Sequence, residues 1–196
     1  MNPVQEIKTT WQSIPAELKS FLKRAVFIFI VWKMLYHLFL FNGRIIDKPL
    51  TDFSAKTTVW VMQMFYPTSQ FIIKEKALHD PELLKDLIYF DFIYKDAHTI
   101  VGIADTCNAL ELYVLYLGFI IAFPGTWIRK LFFSIIGIIA IFISNIIRLS
   151  ALSVMNMTKM NAIDLAHHYI FKLIVYSLIF VLWMAYTGKR KDEKSN

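Results

Sequence analysis

The chain has 196 residues, 57 % of them hydrophobic and 16 % aromatic, with a positive mean hydropathy; a water-soluble domain has too few polar groups to cover that much apolar surface. The formal charge of +6 does not point to nucleic acid, because the basic residues gather at the ends of apolar runs, as anionic lipid headgroups favour, and form no groove-like patch. The length fits a single domain, and the lone cysteine excludes an internal disulfide and leaves a free thiol to explain.

Residues 1–24 are polar, carry Lys8, Lys19, Lys23 and Arg24, and read as a cytoplasmic segment. The apolar run Ala25 to Phe41 has no small-residue cleavage site after it, so it reads as a first transmembrane helix and not as a cleaved signal. Lys33 and His37 lie one turn apart on one face of that helix. A charge at such depth costs about 2.5–3.5 kcal/mol on insertion scales, which predicts that Lys33 faces other helices or snorkels. Asn42-Gly43 is a turn signal.

Residues 43–106 hold seven Lys/Arg and nine Asp/Glu and read as an extracytoplasmic insert. Within it Val59 to Tyr66 is apolar but too short to span, and Pro67 stops it, which predicts an interfacial helix. Leu87 to Tyr94 and Thr99 to Ala104 are rich in aromatic and β-branched residues and flank a polar turn, Lys95 to His98. They predict a small β-hairpin whose second strand delivers Cys107 to the membrane surface.

The second span runs from about Asn108 to Phe123, and Asn108 and Glu111 have the spacing of a capping box, which puts Cys107 at a helix N-terminus. After Pro124-Gly125, with Arg129 and Lys130 in the loop, a third span runs from Leu131 to about Val154. Arg148 lies 17 residues beyond Leu131, about 26 Å at 1.5 Å per residue, near the far boundary of the hydrocarbon core. A polar connection, residues 155–168, leads to a fourth span from Tyr169 to about Tyr186 and a tail, 188–196, with Lys189, Arg190, Lys191 and Lys194.

The N-terminal segment, the 124–130 loop and the tail carry four, two and four basic residues, against Lys159 alone in the 155–168 connection. The positive-inside rule then places both termini in the cytoplasm, and the long insert is exempt from it. The expected fold is an all-α integral membrane protein with about four transmembrane helices, an interfacial helix and a small extracytoplasmic β-hairpin. Residues 107–187 form its catalytic helical core, in the cytoplasmic (inner) membrane.

This topology brings Cys107, Arg148, His167 and His168 to one outer layer. A thiol, an imidazole and a guanidinium are what acyl transfer through cysteine requires: a nucleophile, a general base that later acts as acid, and a charge stabiliser. A helix N-terminus and a nearby cation both favour a thiolate. Each residue has a plainer reading. Cys107 packs as a small hydrophobe, Arg148 snorkels to headgroups or makes a buried polar contact with Asn145, and the histidines with Asp164 bind a metal. The last lacks a third well-spaced ligand, and no metal or other cofactor is called for. Glu111, a carboxylate inside a span, reads first as a cap and second as a partner of Arg148 or of substrate.

At these residues the sequence resembles the exosortase/archaeosortase family of polytopic membrane proteins. The likeness lies in Cys107-Asn108-Ala109 after a short strand, in Asn145-Ile146-Ile147-Arg148 on a late helix, and in His167-His168-Tyr169-Ile170-Phe171 opening the next helix. It covers roughly residues 85–187. Ala109 and Phe171 stand where glycine is common in that family, and the N-terminal half is short. The resemblance implies a cysteine protease or transpeptidase that cleaves C-terminal sorting signals of membrane-anchored protein substrates at the outer face of the membrane. Cys107 would be its nucleophile, Arg148 its charge stabiliser and His167 its acid/base, with Asn108, Glu111, Asn145 and His168 supporting or binding substrate. The competing class is a non-enzymatic membrane assembly or scaffold protein; substrate motif, acceptor and oligomeric state are left open.

Overall fold

A computed structural model describes residues 15–41, 43–79, 87–96 and 98–193, with only the backbone described at His79, His168 and 189–193. Residues 1–14, Asn42 of the expected turn, Ala97 of the hairpin turn and the tail from Lys194 lie outside it, as does the side chain of His168.

Helix α1, Ala16–Leu35, continues through a π-helical turn, Tyr36–Leu40. Helix α2, Asp47–Phe65, leads to three antiparallel strands in the order β1 (Phe71–His79), β2 (Leu87–Lys95) and β3 (His98–Ala104). A 3-10 turn, Asp105–Cys107, joins β3 to α3, Leu110–Ala122. Helix α4, Trp127–Met157, a single turn at Ile163–Leu165, a π-helical turn at Ala166–Ile170 and α5, Phe171–Glu193, complete the chain.

Among the described residues two helical segments are long and apolar enough to cross a membrane, Trp127–Met157 and Phe171–Gly188. The four expected spans are thus met by two. Helix α1 starts at Ala16 and so includes Glu17, Lys19, Lys23, Arg24 and Lys33, and the 13 residues of α3 extend only about 20 Å. Outward-facing Ile138, Ile139 and Ile143 on α4 and Phe180 and Val181 on α5 are exposed, a surface suited to hydrocarbon and a liability in water.

The expected hairpin is present, each strand reaching one residue further toward the turn than expected, with Lys95 opposite His98 and a register shift at Ile93/Tyr94. Two expectations need correction. The sheet has a third strand, β1, paired with β2 along its whole length from Phe71↔Lys95 to His79↔Leu87; the charges of Lys74-Glu75-Lys76 hide its pattern. The apolar stretch Val59 to Tyr66 is only the end of α2, which begins twelve residues earlier, at Asp47. Its buried face is Asp47, Thr51, Ser54, Ala55, Thr58 and Met62, a helical stripe of mostly small and polar residues against the sheet and α4. Pro49 is tolerated because backbone N–H groups in a first turn have no intrahelical acceptor.

There are two cores. One, among α3, α4 and α5, holds Tyr116, Ile120, Phe133, Ile141, Val175 and Ile179. Here Gly137 permits close approach, since a Cβ at that position would fall 1.9 Å from the Tyr116 ring, and the Tyr116 hydroxyl donates to the Phe133 carbonyl at 2.8 Å. The other joins Ala55, Ile93, Ile100 and Ile103 to Leu149. Helix α4 has 31 residues, about 46 Å, so one helix serves both. Asn145 and Arg148 lie on it between Ile141 of the first core and Leu149 of the second.

Asp91, 2 % exposed on the central strand, has a buried Oδ2 with no hydrogen-bond partner among the described residues. Burial, and then the neighbouring Asp52 carboxylate, push its pKa up from 3.8 to about 6. A raised carboxyl pKa favours the protonated folded state, so this stability is complete below about pH 4 and is lost as pH rises through about 6. Asp91→Asn mimics the protonated form. It should stabilise the fold at pH 7 by on the order of 2 kcal/mol and confer no advantage at pH 4, as read by thermal unfolding in detergent at both values.

Candidate active site

Cys107 ends the 3-10 turn that follows β3, and this turn is tied on several sides. The Asn108 amide closes it on the Asp105 carbonyl at 3.3 Å. Asn108 is buried; its Nδ2 donates to Asp47 Oδ1 at 3.0 Å, and its Oδ1 accepts from the Leu110 amide at 2.8 Å. The next residue, Ala109, has φ 65°, a left-handed conformation that costs an L-residue about 1–2 kcal/mol and glycine almost nothing. Glycine being common at this position in the family it resembles therefore has a backbone cause. Here alanine carries the strain.

From the other side, Asn145 on α4 donates its Nδ2 to the Cys107 carbonyl at 3.1 Å. One turn further along the same helix, Arg148 Nη2 lies 3.9 Å from Cys107 Sγ, a contact between a full cation and a polarisable sulfur. Arg148 Nε is buried and has no hydrogen-bond partner among the described residues. His167 sits in the π-helical turn before α5; such turns widen a helix locally and recur at functional sites.

Cys107, Arg148 and His167 line one cavity of about 530 Å³, together with Lys33, Glu111 and Lys172. The structure therefore brings together the three residues expected to carry the chemistry. Of the supporting set, Glu111 lines the cavity, whereas Asn108 and Asn145 grip the backbone around the thiol. Asp164 is exposed and does not line it.

Glu111 is a correction. It does not reach back to Asn108 as a capping box requires, nor does it pair with Arg148; Lys33 Nζ donates to its Oε1 at 3.1 Å. The partner comes from α1, 78 positions away, so Lys33 does face another helix, and its charge is matched by an opposite one.

The sequence reading missed the polar layer beneath the turn. Arg44 forks onto Asp105, with Nε on Oδ2 at 2.6 Å and Nη2 on Oδ1 at 2.9 Å, and Thr51 donates to Oδ1 at 2.8 Å. Arg44 also holds Glu75 of β1 and lies 3.9 Å above the Tyr89 ring. Lys48 and Arg44 hydrogen bonds keep the Glu75 carboxyl below its usual pKa. The signal that could have found this layer is the small, polar stripe of α2. Among the described residues no three His, Cys, Asp or Glu side chains gather as metal ligands would.

A comparison with protein families matches residues 18–185 to the family described as Transmembrane exosortase (Exosortase_EpsH). Comparisons with curated proteins and with solved structures find no match.

Proposed function

The chain belongs to the transmembrane exosortase family, and from that premise we propose that it is a membrane cysteine peptidase or transpeptidase acting on C-terminal sorting signals of exported, membrane-anchored proteins. The observation that carries the reading is the shared cavity, in which the only thiol, a guanidinium 3.9 Å from it and a histidine meet. In this reading His167 takes the proton of Cys107, and the sulfur attacks the scissile carbonyl carbon. The developing oxyanion is held by the Arg148 guanidinium, which lines the cavity beside the thiol. Collapse breaks the C–N bond, His167 returns the proton to the leaving amine, and a thioester joins the substrate to Cys107. Water or an acceptor nucleophile then releases the acyl group.

The membrane arrangement proposed with it has four spans, α1 with its π-helical extension and α3 accompanying α4 and α5. Both termini lie in the cytoplasm of a cell whose inner membrane holds the chain, and the sheet and cavity face outward. The placement of Asn145 and Arg148 between an apolar helical core and a sheet core supports a scissile peptide at that boundary, with the substrate's hydrophobic tail beside the helices.

The reading is tested by labelling intact cells with a membrane-impermeant maleimide. Cys107 should label from outside, and an Arg148→Ala variant present at equal levels should label several-fold more slowly, because thiolate and not thiol reacts. A thiol reached only after the cells are opened would defeat the outward placement, and one inert in both states would return Cys107 to packing and favour the scaffold class.

A further inference from the structure

The polar layer beneath Cys107 is more than a tie between sheet and helix. Asp105, two residues before the thiol, and Asn108, one residue after it, are both anchored on the same first turns of α2 and the residue leading into it: Asp105 on Arg44 and Thr51, Asn108 on Asp47 and Thr51. Tyr36 of the π-helical turn in turn donates to Asp47 Oδ2 at 2.8 Å. Opposite, α4 supplies Asn145 to the Cys107 carbonyl and Arg148 to its sulfur. The nucleophile turn is therefore suspended between α2 and α4, which are braced against each other by the stacked rings of Phe53 and Phe142, 5.1 Å apart. Neither α2 anchor belongs to the Cys, Arg and His set.

We infer that Arg44 and Asp105 are positioning residues for the nucleophile: the Arg44 fork fixes the turn that keeps Cys107 Sγ within reach of Arg148. The inference rests on Cys107 being the nucleophile. A planar fork fits this task because two parallel N–H···O bonds hold a carboxylate in both distance and angle, whereas an ammonium holds distance alone. The Arg44 and Asp105 side chains are 14 % and 19 % exposed, so water screens the pair little compared with a surface ion pair. Arg44 itself has φ 48°, a strained backbone retained where it aims the guanidinium at Asp105.

The test uses the purified full-length protein in detergent, with iodoacetamide as the probe of Cys107 and mass spectrometry as the readout, across pH. Arg44→Lys keeps the charge and removes the fork; Glu75→Gln removes the sheet-side charge that Arg44 and Lys48 share and leaves the Arg44 fork on Asp105 in place. Arg44→Lys should slow alkylation at neutral pH several-fold, no more than Arg148→Ala does, and move the rate profile to higher pH, as loss of the cation beside the sulfur requires. Glu75→Gln should stay within about twofold of the wild-type rate with an unmoved profile. Thermal unfolding of each variant separates this from loss of fold, since a merely structural tie lowers the melting temperature without moving the pH profile of the folded protein. A wild-type rate and profile in Arg44→Lys would overturn the inference, as would equal slowing in Glu75→Gln. Its failure is distinct from failure of the enzyme reading, which shows instead as a wild-type thiol that is itself inert, or as unchanged substrate processing in cells carrying Cys107→Ser.

Discussion

Cells carrying Cys107→Ser in place of the wild-type chain, at equal membrane levels, will accumulate surface proteins whose C-terminal tails are still attached. The substitution changes one atom in a half-buried side chain, so the turn, its ties to Asn145 and Asp105, and the cavity should all persist. What changes is the nucleophile. A serine hydroxyl ionises far less readily than a thiol and needs a stronger base than an imidazole and a guanidinium supply, so cleavage should fall by at least about a thousandfold, as when one member of a catalytic unit is removed. Tail retention read by mass spectrometry of membrane proteins is the check, and the retained proteins identify the substrates. Normal processing at equal expression would make Cys107 a packing residue and leave the scaffold class standing.

The site owes its form to one long helix crossing two environments. Where α4 lies among apolar neighbours its inward residues are Ile141 and the close-approach Gly137; where it meets the sheet Leu149 packs inward, and the exposed Asn156 donates its Nδ2 to the Ile100 carbonyl at 2.7 Å. Asn145 and Arg148 fall at the change of surroundings, Asn145 holding the polar turn by the Cys107 carbonyl and Arg148 lining the cavity beside the thiol. Strand β3 ends there because its register against β2 closes at Phe90↔Ala104, and the chain passes directly into the turn that holds the thiol.

How much of this was legible in the sequence follows from the range of each signal. The apolar runs and the hairpin are written in consecutive residues, and the strand limits were readable to within one residue on each side of the turn. Cys107, Arg148 and His167 could be brought to one layer because span lengths convert position into depth. The errors lie where a contact joins distant residues. Asn108 and Glu111 have the local spacing of a cap, but Lys33, 78 positions away, offers the carboxylate an opposite charge that no local spacing announces. Arg44 and Asp105 are 61 positions apart, and nothing near either announces the other. Helix α2 was misplaced because its buried stripe runs through Asp47, Thr51, Ser54 and Thr58; hydrophobic periodicity is silent where a helix buries small polar groups.

Arg148→Lys should reduce processing about a hundredfold, although it keeps the charge. Two roles are open to this side chain, and they ask for different geometry. Favouring the thiolate needs only a cation near Sγ, which a lysine ammonium can still supply. Holding the oxyanion needs a donor at a second point while the first remains on sulfur, and a guanidinium that lines the cavity with Nη2 at Sγ has further N–H groups for this, which a lysine lacks. Loss of one such donor costs about 3 kcal/mol, or a hundredfold. The two roles separate if alkylation by iodoacetamide and processing of a native substrate in membrane vesicles are measured on the same variant. Near wild-type alkylation with a hundredfold loss of processing assigns Arg148 to the oxyanion. Parallel losses of both would make it a partner of the thiolate alone, and near wild-type processing would show that charge suffices and that the fork has no part in turnover.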